Sequence, residues 1–196
     1  MHSNLRPEGT IVLITGGSRS GKSEFAEKLV KVLGESCAYI ATAKILDEEM
    51  RARVQRHQER RRGSFWTNYE APFDAHEVIR EVSGADSILF DCLTLYAANL
   101  VYGGEDAAAK REKVLGQIDL LVAAAKQSGR NVVFVANEVG SGIIPDNLLA
   151  REFSDLAGQV NQVVAAAADK VYLVVSGIAV DLKKIAVNLE KKEVFL

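Results

Sequence analysis

Apolar residues along this chain fall into short continuous runs, separated by longer stretches in which they recur every third or fourth position. The runs are residues 10–15 (TIVLIT), 37–41 (CAYIA), 87–90 (SILF), 131–136 (NVVFVA) and 170–175 (KVYLVV). Their length and β-branched content predict strands. The stretches between them carry a helical period. Residues 21–33 place Phe25, Leu29 and Val32 at helical spacing, and residues 147–168 place Leu149, Phe153, Leu156, Val160 and Val163 on one stripe. Helices are also predicted over residues 47–61, 74–82, 93–102 and 107–127, and a short strand or hairpin over 187–196.

Strands that are apolar throughout are buried on both faces. Their alternation with helices predicts an α/β fold, a mostly parallel sheet flanked by helices with right-handed crossovers. Ligands of such sheets bind outside the carboxyl ends of the strands. No linker, repeat or low-complexity segment interrupts the pattern, so residues 10–196 are expected to form a single domain. Residues 1–9 are read as a polar N-terminal extension, with Pro7 and Gly9.

Composition narrows the class. The 196 residues are 48% hydrophobic and 26% charged, ordinary for a soluble globular chain. Net charge is -2, with 24 basic and 26 acidic residues. That balance argues against a nucleic-acid partner, which would call for a basic excess. No apolar run approaches the ~20 residues of a membrane helix, so no membrane anchor is expected, and the polar N-terminus lacks a signal-peptide core. The two cysteines, Cys37 and Cys92, lie in apolar surroundings. They read as small buried hydrophobes in a reducing cytoplasm, not as a disulfide or metal site.

Candidate chemistry begins after the first run. Gly16-Gly17-Ser18-Arg19-Ser20-Gly21-Lys22-Ser23 has the pattern G-x-x-x-x-G-K-[ST] and lies between a predicted strand and a predicted helix. The glycines let successive N–H groups point inward, and the helix N-terminus adds its dipole, so the segment can cradle phosphate. Lys22 supplies positive charge for the β- and γ-phosphates, and Ser23 a hydroxyl for Mg²⁺. Asp91 ends the run at 87–90. Its carboxylate could reach the same metal or cap the following helix; with the cradle present, the metal role is favoured.

His57 lies on the predicted helix 47–61, on one face with Leu46, Met50 and Val54, among Arg53, Arg56, Arg60 and Arg61. Composition alone favours a core histidine satisfied by a hydrogen bond. The other reading is a neutral imidazole able to attack phosphorus, with the arginines neutralising phosphate charge and disfavouring the imidazolium. His76 reads as a surface residue. Asn137 and Glu138 follow a core strand, at the binding edge. They could hold polar groups of a second substrate or serve only the turn. Arg151 and Asp155, one helical turn apart, are expected to pair on the surface.

Taken together, TGGSRSGKS, YIATAKILDEEMRARVQRHQERR, Trp66-x-x-x-Glu70, DCLTLYAANL, NEVGSGIIP and REFSDLAGQVNQVVAAAADKVYLVVSGI closely resemble the bifunctional adenosylcobinamide kinase / adenosylcobinamide-phosphate guanylyltransferase family, over roughly residues 10–184. The resemblance implies a P-loop NTPase fold like the recombination-type ATPase core. It implies phosphorylation of the aminopropanol hydroxyl of adenosylcobinamide by ATP or GTP, then transfer of GMP from GTP to that phosphate with release of pyrophosphate. The second step would pass through a guanylylated histidine, and His57 matches that position. Residues 16–23, Ala41, Thr42, Ala43, Gln58, Glu59, Arg60, Arg61, Glu70 and Asp91 match positions that contact the guanine nucleotide. Homo-oligomers, trimers included, are implied. Two departures stand out: Met1–Gly9 precede a first strand near which family members often begin, and Arg60-Arg61-Arg62-Gly63 replaces a common Arg-Pro after the histidine. The rival readings are a P-loop kinase of another small alcohol, leaving His57 idle, and a non-catalytic nucleotide switch.

Overall fold

A computed structural model of the chain describes residues 9–44, 48, 59, 61, 63–101, 107–142 and 144–187. The strands are β1 (Ile11–Gly16), β2 (Cys37–Ala41), β3 (Trp66–Glu70), β4 (Ser87–Asp91), β5 (Asn131–Asn137), β6 (Lys170–Val175) and β7 (Ile178–Asp181). The helices are α1 (Lys22–Leu33), α2 (Ala75–Glu81), α3 (Leu93–Val101), α4 (Ala107–Gln127), α5 (Leu148–Ala167) and α6 (Leu182–Ile185). The strands form one sheet in the order β3-β2-β4-β5-β1-β6-β7. All pairs are parallel except β6–β7.

Period-two alternation divides the core between the two sheet faces. On one face Leu13, Ile40, Phe90 and Phe134 pack with residues of α2, α3, α4 and α5, including Ile79, Tyr96, Ile118 and Val160. Phe90 sits against both Tyr96 and Phe134, with ring centroids 5.6 and 5.4 Å away. On the other face Ile14, Tyr39, Leu89 and Val135 pack with Ala26 and Val30 of α1. The parallel α/β architecture read from the sequence is the one observed.

Several details differ. The buried row of α1 is Lys22, Ala26 and Val30, whereas Val32 is 82% exposed. Likewise α5 buries Leu156, Ala157, Val160 and Val164, and Leu149 is exposed. Each expected stripe was therefore slightly rotated about its helix. The edge strands β3 and β7 were not foreseen, because half-exposed edges lack a continuous apolar run. His76 was expected at the surface but is buried on α2. Arg151, expected to pair with Asp155, instead donates to the carbonyls of Pro145 and Asp146, 2.8 Å each. Apart from Glu48, Glu59 and Arg61, the helix expected over 47–61 lies outside the described residues, as does the ending expected over 187–196 beyond Val187.

Candidate functional site

The carboxyl edge of the sheet gathers most of the residues singled out in the sequence. β1 ends at Gly16 and α1 begins at Lys22, so the intervening turn lies at this edge. Gly21 takes a left-handed conformation, φ 95°, which favours glycine, and passes the chain into α1. Gly16 is needed for space: a Cβ there would lie 2.4 Å from the Val174 carbonyl oxygen and 2.7 Å from Ser20 Oγ. Gly17, Ser18 and Arg19 are exposed, Ser20 and Lys22 are buried, and Ser23 is half-buried. Lys22 Nζ donates to the Gly17 carbonyl at 3.0 Å, which sets its charge over the turn. The hydroxyl of Ser20, within the turn, is buried without a hydrogen-bond partner. A buried, unpartnered hydroxyl in a turn that carries a lysine and opens a helix suits an anion.

The sheet register aligns the other candidates. Glu70, Ala41 and Asp91 occupy one row across β3, β2 and β4, and the row continues through Val135 to Ile14. Asp91 is therefore two positions inside the level of Gly16, on the strand over which α1 packs. The charge of Lys22 is felt at Cys92, the next residue. Ser23 hydroxyl and Asp91 carboxylate are hard oxygen donors, the set Mg²⁺ prefers when phosphate oxygens and water complete its shell. Among the described residues no cluster of three His, Cys, Asp or Glu forms a protein-only metal site.

On the other side of the cradle, the Glu138 N–H donates to the Gly16 carbonyl at 3.0 Å. The Asn137 N–H donates to Thr94 Oγ1 at 2.8 Å, and Asn161 Nδ2 donates to the Asn137 carbonyl at 3.3 Å. The loop carrying Asn137 and Glu138 is thus tied to the first glycine of the cradle, to α3 and to α5.

A profile of the family described as cobinamide kinase / cobinamide phosphate guanyltransferase matches residues 12–182. The chain belongs to the cobinamide kinase / cobinamide phosphate guanyltransferase family. It is 44% identical over 182 residues to the bifunctional adenosylcobalamin biosynthesis protein CobU of Salmonella typhimurium, covering 88% of this chain and 99% of that protein. The protein of the same name from Escherichia coli is 42% identical over 184 residues, with the same coverage. Bifunctional adenosylcobalamin biosynthesis protein CobP of Pseudomonas aeruginosa is 34% identical over 172 residues, covering 87% of this chain and 96% of that one. Among solved structures, a KaiC-like protein of Pyrococcus horikoshii overlays with a TM-score of 0.49 and 16% identity, over 85% of this chain and 71% of that chain.

For this cobinamide kinase / guanyltransferase family member, the described residues separate the nucleotide-contact candidates into two kinds. Glu70 and Glu59 are exposed, and Ala41, Ala43 and Asp91 are half-buried at the edge. Thr42 is fully buried. Its hydroxyl donates to the Cys92 carbonyl at 2.9 Å and accepts from the Cys92 N–H at 2.8 Å, and its own N–H donates to the Asp91 carbonyl at 3.1 Å. Its carbonyl accepts from Asn99 Nδ2 at 2.7 Å. Thr42 therefore clamps the chain just after Asp91. Arg61 is also buried: its guanidinium lies 3.4 Å over the Tyr39 ring centroid and 3.4 Å from Glu27 Oε1. His57, Gln58 and Arg60 lie outside the described residues.

Sequence reading passed over Tyr39, Thr94, Asn99 and Asn161, all of which anchor this edge. The signal was available for Tyr39, a phenol in an otherwise apolar strand. A buried hydroxyl there needs a partner.

Proposed function

We propose that this chain phosphorylates adenosylcobinamide and then converts the phosphate to adenosyl-GDP-cobinamide, with Lys22 and His57 as its catalytic residues. In the first reaction the acceptor hydroxyl oxygen attacks the γ-phosphorus of ATP or GTP. The bond to the β-phosphate oxygen breaks, the nucleoside diphosphate leaves and the hydroxyl proton passes to a base. In the second, an imidazole nitrogen of His57 attacks the α-phosphorus of GTP, a P–N bond forms and pyrophosphate leaves. An oxygen of the cobinamide phosphate then attacks the same phosphorus, the P–N bond breaks and His57 is restored.

The observation that carries this reading is the phosphate cradle of residues 16–23 in a chain that belongs to the family along residues 12–182. A γ-directed cradle serves the first reaction. It cannot by itself break the α–β bond, so the second needs a nucleophile at the α-phosphorus, the role the family resemblance assigns to His57. Ser23 and Asp91 would hold Mg²⁺, which when bound neutralises phosphate charge. Asn137 and Glu138, on the loop tied to the cradle, would meet the acceptor. The same reading makes the enzyme a homo-oligomer, trimers included, working in the cytoplasm.

The test uses GTP labelled at the α-phosphate, with the full chain and Mg²⁺, quenched in alkali to preserve a phosphoramidate. Label is expected on the wild-type polypeptide and not on His57→Ala, which keeps phosphorylation. Absence of label under conditions of confirmed GTP binding, or equal label on both proteins, overturns the role of His57.

A further inference from the structure

Tyr39 lies in the middle of β2 on the α1 face of the sheet, two positions before the row that contains Asp91. Its side chain is 6% exposed. The hydroxyl donates to Asp91 Oδ2 at 2.8 Å. The ring is packed from two directions. Trp66 meets it edge-on at 6.4 Å, and the Arg61 guanidinium lies over its face at 3.4 Å. Arg61 in turn approaches Glu27 of α1. Half-buried Glu27, buried Arg61 and Tyr39, and half-buried Asp91 thus form one continuous series leading from α1 to the carboxyl edge. A cation over an aromatic face is favourable, more so when desolvated. A hydrogen bond to a carboxylate is among the stronger neutral-to-charged contacts.

We propose that Tyr39 is a positioning residue for Asp91: its hydroxyl fixes one carboxylate oxygen, and Arg61, stacked on the ring, holds the hydroxyl in place. This rests on the reading of Asp91 as the carboxylate that meets the magnesium-bound phosphates. A carboxylate at the end of a strand can rotate about its side-chain bonds. With one oxygen committed to a rigid donor, the orientation of the other is set before nucleotide arrives. In this contact the phenol hydroxyl is the donor and the Asp91 carboxylate its acceptor. The assignment also gives Arg61 a task different from touching nucleotide: it supports the ring from the side of α1.

Tyr39→Phe tests this, because it removes only the hydroxyl and keeps the ring that Trp66 and Arg61 touch. Mn²⁺ affinity of the full chain with GTP is read from the resonance of free Mn²⁺, beside GTP binding in chelator and the thermal midpoint. Loss of a partner that orients a metal carboxylate typically weakens metal affinity on the order of 10–100-fold, and that loss is expected here with chelator-phase GTP binding unchanged. The Mg²⁺ concentration for half-maximal phosphorylation should rise, with the rate recovering at high Mg²⁺. Arg61→Met, which keeps the hydroxyl but loosens its ring, should shift the same Mn²⁺ constant in the same direction by a smaller factor. Wild-type Mn²⁺ affinity in both variants, whatever their thermal midpoints, overturns the proposal and leaves the phenol a packing group. Asp91→Asn is run beside them. Weakened Mn²⁺ binding there with wild-type binding in Tyr39→Phe overturns only the role of Tyr39. Wild-type binding in Asp91→Asn overturns the metal role of Asp91 and this proposal with it.

Discussion

The backbone N–H of Gly177 donates to the carbonyl of Ser20 at 2.8 Å, which joins the turn between β6 and β7 to the phosphate cradle. That turn has two residues, Ser176 at φ 51° and Gly177 at φ 81°, both left-handed as a tight hairpin requires. It also passes so close to the cradle that a Cβ on Gly21 would lie 3.1 Å from Gly177 Cα. Gly177→Ala meets no nearby atom, but the positive φ costs about 1–2 kcal/mol. Part of that strain is relieved by moving the turn, and with it the support of Ser20. Weaker nucleotide binding and a lower thermal midpoint are expected. Gly129→Ala is the matched control. It too sits in open space at positive φ, but before β5, at the opposite edge of the sheet. Equal nucleotide affinity in the two variants would show that the hairpin does not brace the cradle.

Thr42 provides a second test of how the edge is held. Its hydroxyl satisfies both the N–H and the carbonyl of Cys92. Thr42→Val keeps the shape and leaves the Cys92 N–H without its partner, whereas the Cys92 carbonyl still accepts from the Tyr96 N–H at 3.0 Å. The cost is roughly 1–3 kcal/mol of stability for the uncompensated N–H. Because the clamped segment immediately follows Asp91, KM for the magnesium nucleotide should rise as well. Urea unfolding and steady-state phosphorylation check the two effects separately. Unchanged KM with lowered stability would confine Thr42 to the fold.

How much of this was legible from the chain depends on whether a residue's role is local. The cradle was, because Gly16 to Ser23 are contiguous and the strand before them is apolar. The position of Asp91 at the end of β4 was, because a carboxylate ending a buried run is conspicuous. Tyr39 to Asp91 was not, because the partners are 52 residues apart and meet only through the β2–β4 register. Thr42 to Cys92 depends on the same pairing. The edge strand β3 was hidden by its exposed Thr67 and Asn68, which break the apolar run although Trp66 is buried. The rotated stripe of α1 has a similar cause: Lys22 and Ala26 belong to the buried row, and neither scores as a large apolar residue.

The two cysteines give a pH-dependent prediction. Both are free and buried. Burial, the largest cause for each, pushes Cys37 up to about 11 and Cys92 up to about 12, the latter also against the charge of Asp91. An unfolded thiol titrates near about 8.5. The native chain therefore keeps protons that the unfolded chain gives up. This contribution to stability is intact below about pH 8.5 and falls as pH climbs through the folded values. Urea midpoints should decline from pH 9 toward pH 11, less steeply in Cys92→Ala once its own lower baseline is subtracted. At pH 8 both native thiols should react with a disulfide reagent only after denaturant is added. Prompt reaction of the native protein would contradict their burial.

Lys22 separates the cradle from the histidine. It is 7% exposed and its ammonium is held by the Gly17 carbonyl, so the charge is already in place over the turn that would receive phosphate. Both proposed reactions depend on the triphosphate being gripped there, although they break different bonds. Lys22→Ala should therefore depress phosphorylation and GMP transfer together, on the order of 10²–10³-fold, as expected when a preorganised charge facing phosphate is removed. His57→Ala should depress GMP transfer alone. Assaying the two reactions separately, with cobinamide for the first and cobinamide phosphate for the second, distinguishes the patterns. Phosphorylation lost but GMP transfer intact in Lys22→Ala would mean that the second reaction grips GTP elsewhere, and that the chain has two nucleotide sites instead of one shared cradle.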